Sequence, residues 1–343
     1  MTLTVTELNI PGYEKVVKAY DMASGLRAII AVHNTNLGPA VGGTRLFPYA
    51  SEDEALTDVL RLSRGMTYKS SLAGLPFGGG KAVIIANPED KNPQLLLAFA
   101  KFVDSLKGKY ICAEDMNTTS ADMEVIRTAT PFVAGLERDG GDPSPFTALG
   151  VFSCIEATAK KLGIPMSGLH VAVQGIGAVG RRLIEHLCEA GCRVSVADRN
   201  GHKVNEVIEA LGVKGVHPDN ILFTECDILA PCAMGAILND NTINQLQCKA
   251  VVGAANNQLA EPRHARRLQD LDILYAPDYL VNAGGITNVA IERQVGGYNM
   301  KDAVKAARHI GQRLLDLYAY AEEHNITTAE AADRMAEQRF NKK

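Results

Sequence analysis

From His170 onward the chain alternates strand-like and helix-like segments in a way that admits few architectures. LHVAVQG, AVGRRLIEHLCEAG, RVSVAD, HKVNEVIEALG, CDILAP, KAVVGAA and ILYAPDYLV follow one another between residues 169 and 281. Short apolar runs separated by amphipathic helices predict a parallel sheet covered on both faces, since each parallel strand needs a crossover to return the chain. Within it, VAVQGIGAVGRRL sets Gly175, Gly177 and Gly180 in GxGxxG spacing between a strand and a helix. Gly175 permits the tight turn. Gly177 lets the backbone approach a pyrophosphate, with the N–H groups at Ala178 and Val179 opening the helix. Gly180 lets that helix pack close to the strand. Asp198 ends the next strand, where its carboxylate can accept hydrogen bonds from a ribose and repel a 2′-phosphate. This favours NAD over NADP, and the adjacent Arg199 pulls the other way. A ligand-free glycine turn is the weaker reading, because strand and helix both flank the motif.

The 343 residues predict two domains. The first part mixes elements. LRAIIAVH (26–33) reads as a strand and KAVIIA (81–86) as a buried strand. Ser51 and Glu54 form a capping box before a helix running to about Ser71. Further helices are expected in QLLLAFAKFVDSL and TSADMEVIRTA, with a short strand, YICAED, between them. Between Leu136 and Phe146 the chain turns to ERDGGDPSP and loses periodicity, which places a hinge there. The expected fold is therefore α/β with two domains separated by a cleft. Residues 1–135 form an α/β substrate-binding and oligomerisation domain, and 147–325 a Rossmann-type dinucleotide-binding domain. Residues 326–343 form a C-terminal helix, opened by Thr327 and Glu330, that is free to return to the first domain.

A net charge of −4 and a pI near 6.1 leave no large basic surface, so nucleic acid is not an expected partner. No apolar run reaches the ~18 residues a membrane span requires. MTLTVTELNIPGYEK lacks the basic and apolar halves of a signal peptide. The 7 cysteines include no CxxC pair. Cys188 and Cys192 are four apart on a helix, and two small buried thiols are favoured over a metal site because no other ligands cluster with them. A reduced, cytoplasmic protein without a metal is expected.

The first domain carries the chemistry that a hydride cofactor needs beside it. YKSSLAGLPFGGGK (68–81) holds Lys69 and Lys81 around the run Gly78–Gly80, GGTR (42–45) adds another glycine pair, and Asp115 follows a short strand. An ammonium buried at Lys81 is costly, and burial or a neighbouring cation such as Lys69 would lower its pKa into the range of a general base. The glycine run is read as leaving open backbone room beside a substrate. Solvated lysines with an incidental acid are the plainer alternative.

GGTR (42–45), YKSSLAGLPFGGGKAVI (68–84), AEDM (113–116), PSPFTALGV (143–151), VQGIGAVG (173–180) and NAGGITN (282–288) together resemble the glutamate, leucine, phenylalanine and valine dehydrogenases. The order and spacing are nearest to the leucine dehydrogenases, and the resemblance runs over nearly the whole chain. It implies NAD-dependent, reversible oxidative deamination of an L-amino acid to a 2-oxo acid and ammonia. By the same resemblance Lys69 binds the substrate carboxylate beside the Gly42 and Gly43 backbone. Lys81 activates the attacking water, Asp115 moves protons at the amino nitrogen, and Thr147 and Asn256 hold the nicotinamide end of the cofactor.

Glutamate specificity in this family needs polar groups where this chain has Val41 and Val289. With Ala113 and Ile286 they would line an apolar pocket that suits leucine, isoleucine or valine. Phenylalanine stays open, and so does the plain reading of the four as core. Asn117 stands where the family usually has glycine. A homo-oligomer is implied, with dimer and octamer both open because the C-terminus is shorter than usual. The rival reading in a different class is a regulatory protein that binds an amino acid or NAD without turnover.

Overall fold

The computed structural model describes residues 3–136, 140–293 and 297–342. The chain divides into two compact units. Met1–Asp142, Val289–Asn299 and Ala336–Lys343 form the first, and Pro143–Asn288 with Met300–Met335 form the second. The break after Asp142 lies in the expected hinge, of which residues 137–139 fall outside the described residues. Two segments depart from the expected partition. Residues 289–299 group with the first unit, where Glu292 Oε2 accepts a hydrogen bond from the Gly135 N–H at 3.0 Å. The last helix divides at Ala336 rather than moving as one block from 326.

The first unit is built on strands β1 (Thr4–Leu8), β2 (Lys15–Asp21), β3 (Leu26–Asn34), β4 (Ala40–Phe47), β5 (Gly78–Ile85) and β6 (Tyr110–Glu114). Helix α1 (Glu52–Leu72) joins β4 to β5. Helix α2 (Pro93–Asp104) lies between β5 and β6, and α3 (Ser120–Arg127) follows β6. The sheet order is β1-β2-β3-β5-β4-β6. β1, β2, β3 and β5 pair antiparallel in turn, and β4 runs parallel to both β5 and β6. Paired residues share a face. One face carries Leu46, Ala82, Ile84, Tyr110 and Cys112 into a core with Phe99 and Phe102 of α2 and Met123 and Ile126 of α3. On the other, Val16, Ile29, Ala31 and Val83 pack against Ala55 and Val59 of α1.

The glycine run corrects the sequence reading. Gly78–Gly80 belong to β5, which therefore starts three residues earlier than KAVIIA suggested. None of the three leaves open room. A Cβ on Gly79 would stand 2.0 Å from the Thr67 backbone nitrogen of α1, and one on Gly80 would stand 2.6 Å from the Tyr110 ring. β4 went unread as a strand for the same reason. Its Gly42 lies so near the Gly80 carbonyl that an added Cβ would be 1.7 Å away. Glycine is poor in strand propensity, yet here it is what lets two strands and a helix come close.

Capping is partly as expected. Ser51 Oγ accepts from the Glu54 N–H at 3.1 Å, but the Glu54 carboxylate reaches back to the Ala50 N–H instead of Ser51. Thr327 Oγ1 caps Glu330 N–H at 3.1 Å, while the Glu330 carboxylate takes Arg334. The reciprocal box forms at Thr119 and Asp122, on α3.

The second unit begins with α4 (Ser144–Leu162). It continues through β7 (His170–Gln174), α5 (Ala178–Glu189), β8 (Arg193–Ala197), α6 (Gly201–Leu211), β9 (Lys214–Gly215), β10 (Ile228–Pro231), β11 (Ala250–Val251), α7 (His264–Asp270) and β12 (Leu274–Tyr275). Helices α8 (Asp278–Val281), α9 (Gly284–Glu292), α10 (Met300–His324) and α11 (Thr328–Phe340) complete the chain. The strands are all parallel in the order β12-β11-β10-β7-β8-β9, the doubly wound arrangement that turns about β7. Residues 336–342 return to α1 of the first unit. Glu337 accepts from Tyr68 Oη at 2.5 Å, Arg339 donates to the Ser71 and Leu75 carbonyls, and the Phe340 ring packs on Tyr68 and His33. No described helix is long and apolar enough to cross a membrane.

Because a Cβ at residue 42 has no space against the Gly80 backbone, Gly42→Ala is expected to lower unfolding free energy by about 2 kcal/mol or more. Urea denaturation of the purified protein measures it.

Candidate active site

The central strands aim a set of charged groups to the α1 face of the first unit. The register sets Gly43 opposite Ala113 and Arg45 opposite Val83, so Val41, Gly43, Arg45, Lys81 and Ala113 share that face. Asp115 follows β6 on the same alternation. Lys81 Nζ and Asp115 Oδ2 are 2.8 Å apart. The Lys81 side chain is 8% exposed and that of Asp115 26%. Gly43 makes this possible. A Cβ there would fall 2.7 Å from Asp115 Cβ and 3.2 Å from Lys81 Nζ.

Arg45 completes the group, and sequence reasoning assigned it no role. Its Nε donates to the same Asp115 oxygen at 3.2 Å, and its Nη1 to Asp58 Oδ2 at 2.8 Å. Asp58, on α1, also accepts from Tyr49 Oη at 2.6 Å and Arg61 Nη2 at 3.2 Å. Burial drives the Lys81 pKa below its ordinary value of 10.5. The Asp115 carboxylate opposes that shift and the Arg45 charge adds to it. Burial alone would raise Asp115, but the Lys81 and Arg45 charges outweigh it and hold the carboxyl below its usual range. Arg45 is thus a cation pressing on Lys81 that the sequence reading, which named Lys69 for this part, did not include. Only the GGTR spacing, which puts Arg45 two residues from Gly43 on one strand face, could have revealed this.

Lys69 lies on the last turn of α1, half-buried, on the helix that packs against this face at Gly79. The Gly42 carbonyl accepts from the buried Tyr110 hydroxyl at 2.7 Å. Val41 is buried, whereas Ala113 and Val289 are half-buried. Ile286 is buried and sits on α9 in the second unit.

The loop after Asp115 explains Asn117. Its φ is +61°, in the left-handed region where glycine is free and asparagine is the best tolerated of other residues. Asn117 Nδ2 donates to the Leu46 carbonyl at 2.9 Å, and the Asn117 carbonyl accepts from Lys91 Nζ at 3.0 Å. The Asp115 N–H donates to Thr118 Oγ1, whose hydroxyl donates to the Thr44 carbonyl at 2.7 Å. The loop is therefore clasped to the end of β4.

In the second unit Gly175 has φ +97° at the end of β7. A Cβ on Gly180 would be 2.0 Å from the Gly175 carbonyl, so the helix does pack tightly on the strand end. Gly177 differs. A Cβ there would meet nothing within 4 Å, and no side chain caps the N-terminus of α5 at this residue. Ala178 is exposed and Val179 half-buried. An open glycine before uncapped helix N–H groups fits a dinucleotide pyrophosphate. Asp198 Oδ2 accepts from the Ile176 N–H at 2.7 Å and Oδ1 from the Asn200 N–H at 2.8 Å. Burial pushes its pKa up, and these two bonds together with the Lys203 charge outweigh that and hold it below the ordinary carboxylate value.

The NAGG segment links the other two residues assigned to the cofactor. Asn282 Nδ2 donates to Asn256 Oδ1 at 2.7 Å and to the Ala254 carbonyl at 3.1 Å. A Cβ on Gly285 would lie 3.2 Å from Thr147 Oγ1, which donates to the Pro143 carbonyl at 3.0 Å. Asn282 had no role in the sequence reading. Cys188 and Cys192 are half-buried, not fully buried as expected, and the Cys192 thiol donates to the Met166 carbonyl. Among the described residues, one trio of metal-ligand type converges: Asp240, Glu261 and His264. Arg263 already occupies both of its carboxylates.

The family model described as "Glu/Leu/Phe/Val dehydrogenase, dimerisation domain" matches residues 14–131. The model described as "Glutamate/Leucine/Phenylalanine/Valine dehydrogenase" matches 142–207 and 198–341. The chain belongs to the glutamate/leucine/phenylalanine/valine dehydrogenase family. Within that dehydrogenase family it is 49% identical to a leucine dehydrogenase of Geobacillus stearothermophilus over 334 residues, 96% of this chain and 90% of the relative. It is 45% identical to a phenylalanine dehydrogenase of Thermoactinomyces intermedius, covering 96% of this chain and 92% of the other. The crystal structure of L-tryptophan dehydrogenase from Nostoc punctiforme superposes with a TM-score of 0.87 at 44% identity, covering 96% of each chain.

Since Asn117 occupies a left-handed position, Asn117→Ala should cost about 1 kcal/mol more than Asn117→Gly. Thermal unfolding of the two variants side by side tests this.

Proposed function

We propose that this protein catalyses the NAD-dependent, reversible oxidative deamination of L-leucine and its aliphatic neighbours, isoleucine and valine. The 2.8 Å contact between a buried Lys81 and Asp115, made possible by Gly43, is the observation that carries it. Bound NAD supplies the hydride acceptor for the substrate Cα. Gly177 and the N–H groups at Ala178 and Val179 would take its pyrophosphate, with Gly180 holding the helix close to the strand end behind them. Asp198 would take the ribose, and Thr147 and Asn256 the nicotinamide end.

The rest is the work of the first unit. Lys69 anchors the substrate carboxylate beside the Gly42 and Gly43 backbone. Asp115, held anionic by two cations, accepts and returns the proton of the amino nitrogen. Lys81, whose ammonium burial disfavours, accepts a proton from water as that water adds to the imine carbon. Ammonia then leaves and the 2-oxo acid remains. Deamination needs Lys81 neutral, so kcat/KM rises with pH through the Lys81 pKa, which lies below 10.5.

Val41, Ala113 and Val289, all of the first unit, supply only hydrocarbon to the substrate side chain. A γ-carboxylate would lose its water without a partner there, so glutamate is rejected. Similarity to phenylalanine and L-tryptophan dehydrogenases supports an aromatic substrate as the second reading. The enzyme is read as a cytoplasmic homo-oligomer with no nucleic-acid or membrane partner.

NADH oxidation with a panel of 2-oxo acids, with and without ammonium, tests the activity. Turnover of 4-methyl-2-oxopentanoate that requires ammonium is expected, and preference for an aromatic oxo acid selects the second reading. Lys81→Ala should lower kcat by about 10² or more. NAD binding without turnover would instead identify a regulatory protein.

The open space at Gly177 gives a separate check on the cofactor. Gly177→Ala is expected to leave stability within about 0.5 kcal/mol while weakening NADH binding. Calorimetric titration with NADH, alongside a melting curve, reads both.

A further inference from the structure

One oxygen of Asp115 serves two cations. Lys81 Nζ approaches Asp115 Oδ2 at 2.8 Å and Arg45 Nε approaches the same atom at 3.2 Å. The guanidinium is anchored at its other end by Asp58, which Tyr49 and Arg61 hold in turn. The charges facing Lys81 can be followed element by element. Asp115 comes from the end of β6 and Arg45 from β4. α1 brings Asp58 behind Arg45, Arg61 onto Asp58, and also carries Arg64 and Lys69. β3 sets Ala31 opposite Lys81 and adds no charge there. The neighbouring Glu114 carboxylate accepts from Ser120 Oγ.

A lysine paired with a lone carboxylate would be a poor base. The carboxylate would hold the ammonium, and loss of the proton would leave a partly buried anion without a counter-ion. A second, permanent cation on the same oxygen removes both difficulties. It repels the ammonium form of Lys81, and it keeps Asp115 paired after the proton has gone. Only arginine combines a fixed charge with a fork that reaches two carboxylates at once.

We propose that Arg45 is a positioning residue of the reaction, a stand-in counter-ion that keeps Asp115 charged and in place each time Lys81 gives up its proton. The inference rests on the reading of Lys81 as the base. Asp58 acts in the opposite sense, since its negative charge favours the ammonium of Lys81.

The test is the pH dependence of kcat/KM for L-leucine deamination in the wild type, Arg45→Met, Asp58→Asn and Lys81→Ala. The acid limb is expected to move upward by about one pH unit or more in Arg45→Met. That is roughly tenfold lower activity at a pH below the limb, beyond any pH-independent loss. In Asp58→Asn, which keeps the hydrogen-bonding shape of the anchor, the limb should move downward. A merely structural Arg45 would lower the rate at every pH and leave both limbs in place. That outcome, or limbs moving the same way in both variants, overturns the proposal. If Arg45→Met does not fold, Asp58→Asn decides: an unmoved or raised limb overturns it. Lys81→Ala separates the two readings. An acid limb that survives in that variant belongs to another group, and removes both the base assignment and the role built on it.

Discussion

An ammonium group in the middle of a β-sheet must find its counter-charge across the strands, because the ladder around it offers none. Lys81 is such a group. Its position on β5, almost without water, would be untenable unless Asp115 came within hydrogen-bonding distance from the end of β6. β4 lies between the two strands, and any side chain at residue 43 would block the approach. The glycines of GGTR and GGGK thus serve one end. They thin the backbone layer so that charged groups from neighbouring strands, and the helix behind them, can converge on a small volume.

That geometry also decides which charge states are possible. A lysine, a carboxylate and an arginine sharing one oxygen form a cluster whose net charge stays tolerable whether or not the lysine is protonated. Asp58, Tyr49 and Arg61 extend the chain of partners outward until solvent takes over the screening. The site is therefore better described as a graded line of charges than as an isolated pair.

Much of this was legible in the residues alone. The second unit declared itself through period: apolar runs, amphipathic helices and a glycine fingerprint recur in an order that one sheet topology satisfies. Lys81 and Asp115 stood out because a charge next to a buried strand needs a reason. What stayed hidden depended on through-space approach. β4 escaped notice because two glycines lowered its strand signal, and their purpose, contact with Gly80 and Asp115, has no local signature. Arg45 and Asn282 were equally silent, since each acts through a partner far off in the chain. Asn117, by contrast, looked like an anomaly and is an ordinary solution to a left-handed turn.

The first unit is assembled from three separate stretches of chain. Glu337, Arg339 and Phe340 sit on Tyr68, Ser71, Leu75 and His33, around the turn of helix that bears Lys69. During synthesis the sheet and its helices leave the ribosome long before those last residues exist. Most of the second unit is translated in the interval, and its closing part, Met300–Met335, comes directly before them. The turn of helix that bears Lys69 therefore receives its final packing late, from residues translated after both segments of the second unit.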